Sequence, residues 1–254
     1  MESMFEEAEV FNQDVACALG WACWKTYLGR PEMGRARISA MTLLGNGLSD
    51  ANHHVVALSV KEAQLAMLRR LGSSGVPMLA VQSNLANTYQ AIGRSNEALQ
   101  MRRDVYLGIL KLKGNESIDT LRAACNYAAG LSGSNLSEET KALLRKMTPA
   151  ARRVLGESHD FTFTMRGLYA TALYMDASAT LDDLRESVAT FEDTARIARR
   201  TLGSAHPTTE WIEKTLQEAR EGLRDSAQVN RNNYAGDDEA HATNRASPPT
   251  TASA

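Results

Sequence analysis

Asn84-Leu85-Ala86-Asn87-Thr88-Tyr89-Gln90-Ala91-Ile92-Gly93-Arg94-Ser95-Asn96-Glu97-Ala98-Leu99 is the stretch whose reading decides the fold. Its opening triplet returns as Asn126-Tyr127-Ala128, 42 positions later, and as Leu168-Tyr169-Ala170, a further 42 on. A step of 42 backwards lands on Thr42-Leu43-Leu44, a degenerate copy that keeps the apolar centre and loses the Asn and the Ala. A second marker runs in parallel: the segment ends Leu71-Gly72, Gly114, Leu155-Gly156 and Leu202-Gly203 are spaced 42, 42 and 47. The five extra residues fall between Met175 and Asp183, because Glu97, Glu139 and Glu186 are themselves spaced 42 and then 47. Such a lengthening belongs in the turn inside a helical hairpin. Repetition at this period marks a stack of supersecondary units, each of which buries its apolar face against its neighbours.

Within one unit the pattern predicts two helices. Leu79, Val81, Leu85, Ala86, Tyr89 and Ile92 follow the three-and-four spacing of an amphipathic helix, which Gly93-Arg94-Ser95 closes. A second helix starts at the capping residues Ser95 and Asn96 and runs through Ala98, Leu99, Met101, Val105, Ile109 and Leu112 to Gly114. Ala86 and Ala98 lie where two antiparallel helices need close approach, since bulky residues would hold the pair apart. Gly45-Asn46-Gly47 is too short and isolated for a phosphate loop, there being no GxxxxGK sequence, and reads as a turn between hairpin helices.

Leu155-Gly156-Glu157-Ser158-His159-Asp160 and Leu202-Gly203-Ser204-Ala205-His206-Pro207 close their segments alike. Together with the run from Asn84 to Tyr89 and with Gly93-Arg94-x-x-Glu97-Ala98-Leu99, they resemble the tetratricopeptide repeats of the kinesin light chain type, whose period is also 42. The resemblance covers roughly residues 33 to 223, and the copy from Gly75 to Gly114 carries it best. It implies an all-α fold: an α-solenoid of antiparallel helical hairpins, a tetratricopeptide-like superhelix. The expected organisation is a partial N-terminal helix or cap over 1–32 and a repeat domain over 33–225. The repeats are about 33–74, 75–116, 117–158 and 159–205, followed by a terminal helix 206–225 and a disordered tail 226–254. The copy at 115–156 departs from the family, with Leu131-Ser132-Gly133-Ser134 in its turn and Pro149 inside the expected second helix, where it should kink or split it. The heptad dimerisation region of a kinesin light chain is missing, so a role in a motor is not implied.

At the ends, residues 4–28 form an apolar-rich helical stretch with Trp21 and Trp24, a remnant second helix of an earlier repeat. Thr208 to Leu223 reads as the terminal helix, with Trp211, Leu216, Ala219 and Leu223 inward and Glu213, Lys214 and Glu218 outward. Beyond Ser226 the composition turns to Asn, Asp, Ser, Thr, Pro and Ala, which offers too little apolar surface to offset the entropy of ordering.

The charge balance of 28 basic against 30 acidic residues gives no overall field to draw the chain onto nucleic acid or an anionic membrane. Cys17, Cys23 and Cys125 form neither a CxxC pair nor an even set, and read as reduced thiols. The first ten residues are acidic where a secretory signal is basic, and no run of about 18 apolar residues occurs. The expected location is the cytoplasm, and the glycosylation-like Asn115-Glu-Ser and Asn135-Leu-Ser are chance matches.

No enzyme active site, metal site or cofactor is implied. Ser158-His159-Asp160 has the residue types of a hydrolytic triad, but three contiguous side chains cannot reach the nucleophile, base and orienter geometry. It reads as a repeat terminator. His53-His54 has no third ligand at helical spacing and reads as loop histidines before a helix. Arg69-Arg70, Lys111, Arg152-Arg153 and Arg199-Arg200 recur just before helix ends and complement the negative end of the helix dipole; the competing reading is a basic stripe for an acidic partner.

The candidate site is the concave surface that stacked first helices create. First-helix positions off the core are Ser83, Asn84, Asn87 and Gln90 in one repeat, Arg122 and Asn126 in the next, and Thr164 in the third. Asparagine offers a peptide backbone both a donor and an acceptor, and Arg122 suits a carboxylate. The resemblance implies the same surface, because first-helix polar residues line the cargo-peptide groove of the light chains and Asn84 and Asn126 match that position. The alternative role of these asparagines is bonding between neighbouring helices. The reading is therefore an adaptor or scaffold for protein or peptide partners; the alternative is a regulatory or targeting fragment of a larger enzyme or signalling protein. The sequence assigns no oligomeric state.

Overall fold

The computed structural model describes residues 15, 17–26, 28 and 35–245, with side chains through residue 229. Among the described residues the fold is all-α. The helices are α1 (17–26), α2 (Arg35–Asp50), α3 (His54–Arg70), α4 (Val76–Ala91), α5 (Ser95–Lys113), α6 (Ile118–Gly133), α7 (Ser137–Leu155), α8 (Asp160–Tyr174), α9 (Leu181–Leu202) and α10 (Pro207–Arg245). Successive helices form antiparallel hairpins of the tetratricopeptide kind. The turn between α8 and α9 holds residues 175–180, against 92–94 between α4 and α5, so the lengthening of the last repeat is shared by this turn and the first turn of α9. None of the helices is long and apolar enough to cross a membrane.

The recurring glycines have a backbone reason. Gly72, Gly114, Gly156 and Gly203 all follow a helix end and take φ of +65°, +75°, +90° and +92°, a region that a Cβ makes costly. Inside the hairpins the same demand falls on Gly93, at φ +80°, and is met by Asn52 and Asn135, at +60° and +56°. Asparagine is the other residue that enters this region readily. The irregular turn of the 115–156 copy thus keeps a left-handed residue at the repeat position of Gly93, with Asn135, 42 positions on, in place of the glycine.

Three expectations need correction. Gly45-Asn46-Gly47 is not a turn: it lies inside α2, and the turn is 51–53. Gly45 is small because the Lys61 side chain crosses it, and a Cβ there would stand 3.0 Å from Lys61 Cγ and 3.1 Å from Cε. Pro149 does not split α7, which runs unbroken from Ser137 to Leu155. The ring is exposed, and the hydrogen bond it forgoes is the single one to the Arg145 carbonyl four residues back. Beyond 225 the expected disordered tail is helical as far as Arg245. No proline interrupts 226–245, and a helix already nucleated upstream extends at little cost per residue. Residues 1–14 and 246–254, and with them parts of both expected termini, lie outside the described residues.

The chain divides into two compact units, Met1–Ser134 with Lys146–Gly156, and Asn135–Arg145 with Glu157–Ala254. In the first unit α2 packs on α3, α3 on α4, α4 on α5 and α5 on α6. Leu65, Leu68, Val81 and Leu85 form one buried cluster, flanked by Ile38, Met78 and Tyr89. Leu44, Leu48 and Ala57 form another, against which Trp24 of α1 rests. Helix α1 sits tightly on α2: a Cβ at Gly20 would lie 2.7 Å from the Leu44 Cα.

The close approach expected at Ala86 and Ala98 is matched by complete burial of both, as of Ala128 and Ala170 at the repeat positions of Ala86. In the second unit the second-helix partner is a serine, and Ser187 Oγ donates to the Ala170 carbonyl at 2.7 Å, a direct measure of how near α9 comes to α8. Phe163, Phe191, Ile212 and Leu216 centre that unit's core. Trp211 covers Gly167 so closely that a Cβ there would fall 2.5 Å from the ring. Lys141, buried, bonds Asp176 in the α8–α9 turn at 2.7 Å. That bond and two from Ser178 hold the Asp176 carboxyl well below the usual carboxylate range.

Candidate functional site

In the first unit α2, α3 and α4 enclose an open cavity of about 350 Å³. Its most unusual wall is Lys61. This residue belongs to α3, the second helix of its hairpin, and is 3% exposed. The stem passes over Gly45 and delivers Nζ to α2 and α4, where it donates to Ser49 Oγ at 2.7 Å, Thr88 Oγ1 at 2.8 Å and the Asn84 carbonyl at 3.5 Å. Each hydroxyl is already spoken for as a donor: Ser49 Oγ gives its hydrogen to the Gly45 carbonyl at 3.1 Å and Thr88 Oγ1 to Asn84 O at 3.2 Å. The hydroxyl lone pairs thus face the lysine. This arrangement solvates an ammonium; it does not aim a basic amine at the Ser49 proton.

Burial pushes the Lys61 amine down to about 8, with the negative charge of Asp50 acting in the opposite sense. The remaining wall is polar as well: Asn46 and Asp50 of α2, His54 at the start of α3, and Asn84 and Asn87 of α4. His54 Nδ1 is buried without a hydrogen-bond partner. The start of α3 has no side-chain cap, so its first backbone donors are also open. One step further into the core, Gln64 Nε2 donates to the Ile38 carbonyl at 3.0 Å and to Thr42 Oγ1 at 2.8 Å, a second buried polar tie from α3 to α2.

Of the residues singled out in the sequence, Asn84 and Asn87 line this cavity. Asn87 Oδ1 also accepts from Arg102 Nη2 at 3.4 Å, and Gln90 Oε1 from Arg102 Nη1 at 3.4 Å, so α5 braces that face of α4. Gln90 Nε2 donates to Ser95 Oγ at 3.2 Å, and Ser83 is half-buried elsewhere on α4. On α6, Asn126 is half-buried, and the exposed Arg122 is tied to Asp119 at 2.9 Å. Thr164 belongs to the second unit, where its hydroxyl donates to the Asp160 carbonyl at 3.0 Å. Lys61, Gln64 and Ser49 were missed, and His54, read as a loop histidine before a helix, is the first residue of α3. The available signal was Lys61's place on the buried stripe of α3, four residues from Ala57 and four from Leu65.

The other candidates have structural occupations. His159 caps α8, its Nδ1 accepting from Phe161 N at 3.1 Å, and His206 Nδ1 accepts in the same way from Thr208 N at 3.2 Å. The terminator histidine is thus a helix cap, with its lone pair engaged. Asp160 Oδ1 accepts from Thr208 Oγ1 at 2.6 Å. His53 precedes α3 as its cap residue. Among the recurrent basic residues, Arg153 pairs with Glu116 at 2.7 Å and Arg199 with Glu213 through two bonds of 2.6 and 2.8 Å. Arg94 bonds Glu97 at 2.8 Å and stacks on Tyr89, 4.3 Å from the ring centre, which accounts for the Gly93-Arg94-x-x-Glu97 motif.

No family model and no curated protein matches the chain. Solved structures do. BtubC (BKLC) from P. vanneervenii is similar over 98% of this chain and 96% of its own, with a TM-score of 0.64 at 14% identity. A candidate kinesin light chain of Podosopora anserina, with nearly identical TPR-like repeats, is similar over 77% and 97%, with a TM-score of 0.59 at 21% identity. A Rap protein complexed with Competence and Sporulation Factor is similar over 85% and 61%, with a TM-score of 0.57 at 14% identity. At these identities the likeness is one of fold. The chain has the helical-repeat fold of TPR-like proteins, kinesin light chain-like ones among them.

Proposed function

We propose that this chain is a non-catalytic adaptor that holds an extended segment of a protein partner against the first helices of its repeats. The observation that carries the reading is the open polar cavity of about 350 Å³ between α2, α3 and α4, with Asn84 and Asn87 on its wall. Side-chain amides at such a place can give a peptide backbone both of the bonds it lost on leaving water, which an apolar wall cannot do. Asn126 and Arg122 add polar groups on α6. The similarity to a Rap protein solved with a bound factor supports a protein-interaction role for this architecture. A non-catalytic role agrees with the histidines at 159 and 206, whose Nδ1 lone pairs cap helices.

Affinity capture from a cell extract tests this, comparing the native chain with Asn84→Ala/Asn87→Ala and with Arg122→Ala/Asn126→Ala. A partner held by the native chain and lost from either variant, with helical circular dichroism unchanged, supports the groove. A partner held equally by all three moves the function to another surface.

A further inference from the structure

The cavity between α2, α3 and α4 holds a buried cation whose own bonds are all to neutral atoms. Lys61 Nζ touches two hydroxyl oxygens and one backbone carbonyl. Asp50 lines the cavity at longer range, acting on Lys61 through space. A buried charge without an ion at contact is costly, and the chain keeps it although methionine would fill the same volume. It also keeps Gly45, which gives Lys61 the room to cross α2. Beside the ammonium lie His54 Nδ1, buried and without a partner, and the Asn84 and Asn87 side chains.

Building on the groove reading above, we propose that this cavity binds a carboxylate of the partner segment, with Lys61 reaching through from the second helix as its counter-ion. His54 Nδ1 and the Asn87 amide supply hydrogen bonds beside it, and the open start of α3 adds a favourable dipole. A single negative charge suits the site: for a phosphate dianion the attraction to Lys61 and the repulsion from Asp50 both double, while the cost of leaving water grows with the square of the charge. The titratable groups that face the cavity are Asp50 on α2 and His54 and Lys61 on α3, while α4 contributes amides and the Thr88 hydroxyl. Occupancy by a carboxylate favours protonated Lys61, so binding takes up a proton and weakens as pH rises above about 8.

The test is an NMR titration of the full chain labelled with carbon-13 at the lysine Cε, supplemented by amide spectra. The probes are N-acetyl-glutamate N-methylamide, N-acetyl-alanine, N-acetyl-glutamine N-methylamide and inorganic phosphate. The expected result is that the first two shift the Lys61 signal and the Ser49 and Thr88 amides, and raise the Lys61 titration midpoint, while the neutral glutamine probe does neither. The tighter of the two carboxylates tells whether a side chain or a chain end is read. Lys61→Met and Lys61→Gln should both abolish the response, and the glutamine variant keeps a donor in case the methionine variant repacks. An equal response to the glutamine probe, a carboxylate response that survives in both variants, or tighter binding of phosphate overturns the proposal. Failure of the broader reading looks different. Carboxylate probes that bind as stated, beside capture that no groove variant alters, leave this site standing and remove the adaptor groove; capture lost with Asn84→Ala/Asn87→Ala, beside probes that leave Lys61 untouched, does the reverse.

Discussion

Lys61 stands on the buried stripe of α3, four residues after Ala57 and four before Leu65, and this position governs how it titrates. Its amine has a pKa of about 8 in the fold against 10.5 for an ordinary lysine, so between those values the unfolded chain binds more protons and stability rises with pH. Below pH 8 the whole penalty is present; above 10.5 it is gone. Lys61→Met should therefore stabilise the protein at pH 7 by roughly 1–3 kcal/mol after allowance for solvent screening, and the gain should shrink as pH is raised toward 10. Urea unfolding of both proteins at pH 7 and pH 10 measures this, and a pH-independent difference would show that the amine is not strained by burial. The site was half legible in the sequence for a related reason. Asn84 and Asn87 were found because polar residues on an amphipathic first helix mark a face directly. A lysine is assigned to solvent by habit, and neither its stripe position nor the glycine that makes room for it, 16 residues away on α2, announces that the two fit together.

Helix ends and turns were the most legible feature of each element, because the backbone angles they require are open to few residue types. The recurring Gly72, Gly114, Gly156 and Gly203, all left-handed, mark helix ends without any tertiary information. What remained hidden was substitution within that rule: Asn52 and Asn135 do the work of Gly93, and Gly45-Asn46-Gly47 imitates a turn from inside α2. The terminator histidines belong to the same level. His159→Ala removes the acceptor that holds Phe161 N and should cost about 0.5–2 kcal/mol, the usual range for a lost cap, while leaving partner capture intact. Thermal unfolding with a parallel pull-down reads both effects, and loss of capture in a folded variant would give His159 a role in binding. Pro149 is the opposite case, a residue that α7 tolerates at a cost. Its position is exposed, so Pro149→Ala restores the bond to the Arg145 carbonyl without crowding any neighbour and should stabilise by roughly 1–3 kcal/mol. A lower melting temperature in this variant would mean that the helix is built around the local geometry proline imposes.

In the molecule as a whole, stability comes from neighbour-on-neighbour packing, and the last helix shows where that packing ends. On α10 the buried positions are Thr209, Ile212, Thr215, Leu216 and Ala219, with Trp211 laid over Gly167. After Leu223 the burial stops, and Val229 is 60% exposed. The helix nevertheless continues to Arg245. Composition registers that residues beyond 226 carry little apolar surface. It does not register that a helix can outrun its core, because propagation needs only compatible residues and an existing end. The two statements separate in a truncation series. Removing residues 230–254 leaves every buried position of α10 up to Ala219 in place, and should change unfolding free energy by no more than about 0.5 kcal/mol. Removing everything from Pro207 exposes Phe163 and Phe191, and forfeits burial worth about 1.5–3 kcal/mol for each of Ile212 and Leu216, besides the cover of Trp211. That exceeds what a unit of this size can spare, so the shorter chain should lose cooperative unfolding and aggregate, as solenoids without a terminal cap do. Calorimetry of the two truncated chains decides the matter: equal damage from both cuts would place a stabilising contact in the distal part of α10, and no damage from the longer cut would show that the Phe163 and Phe191 core closes without it.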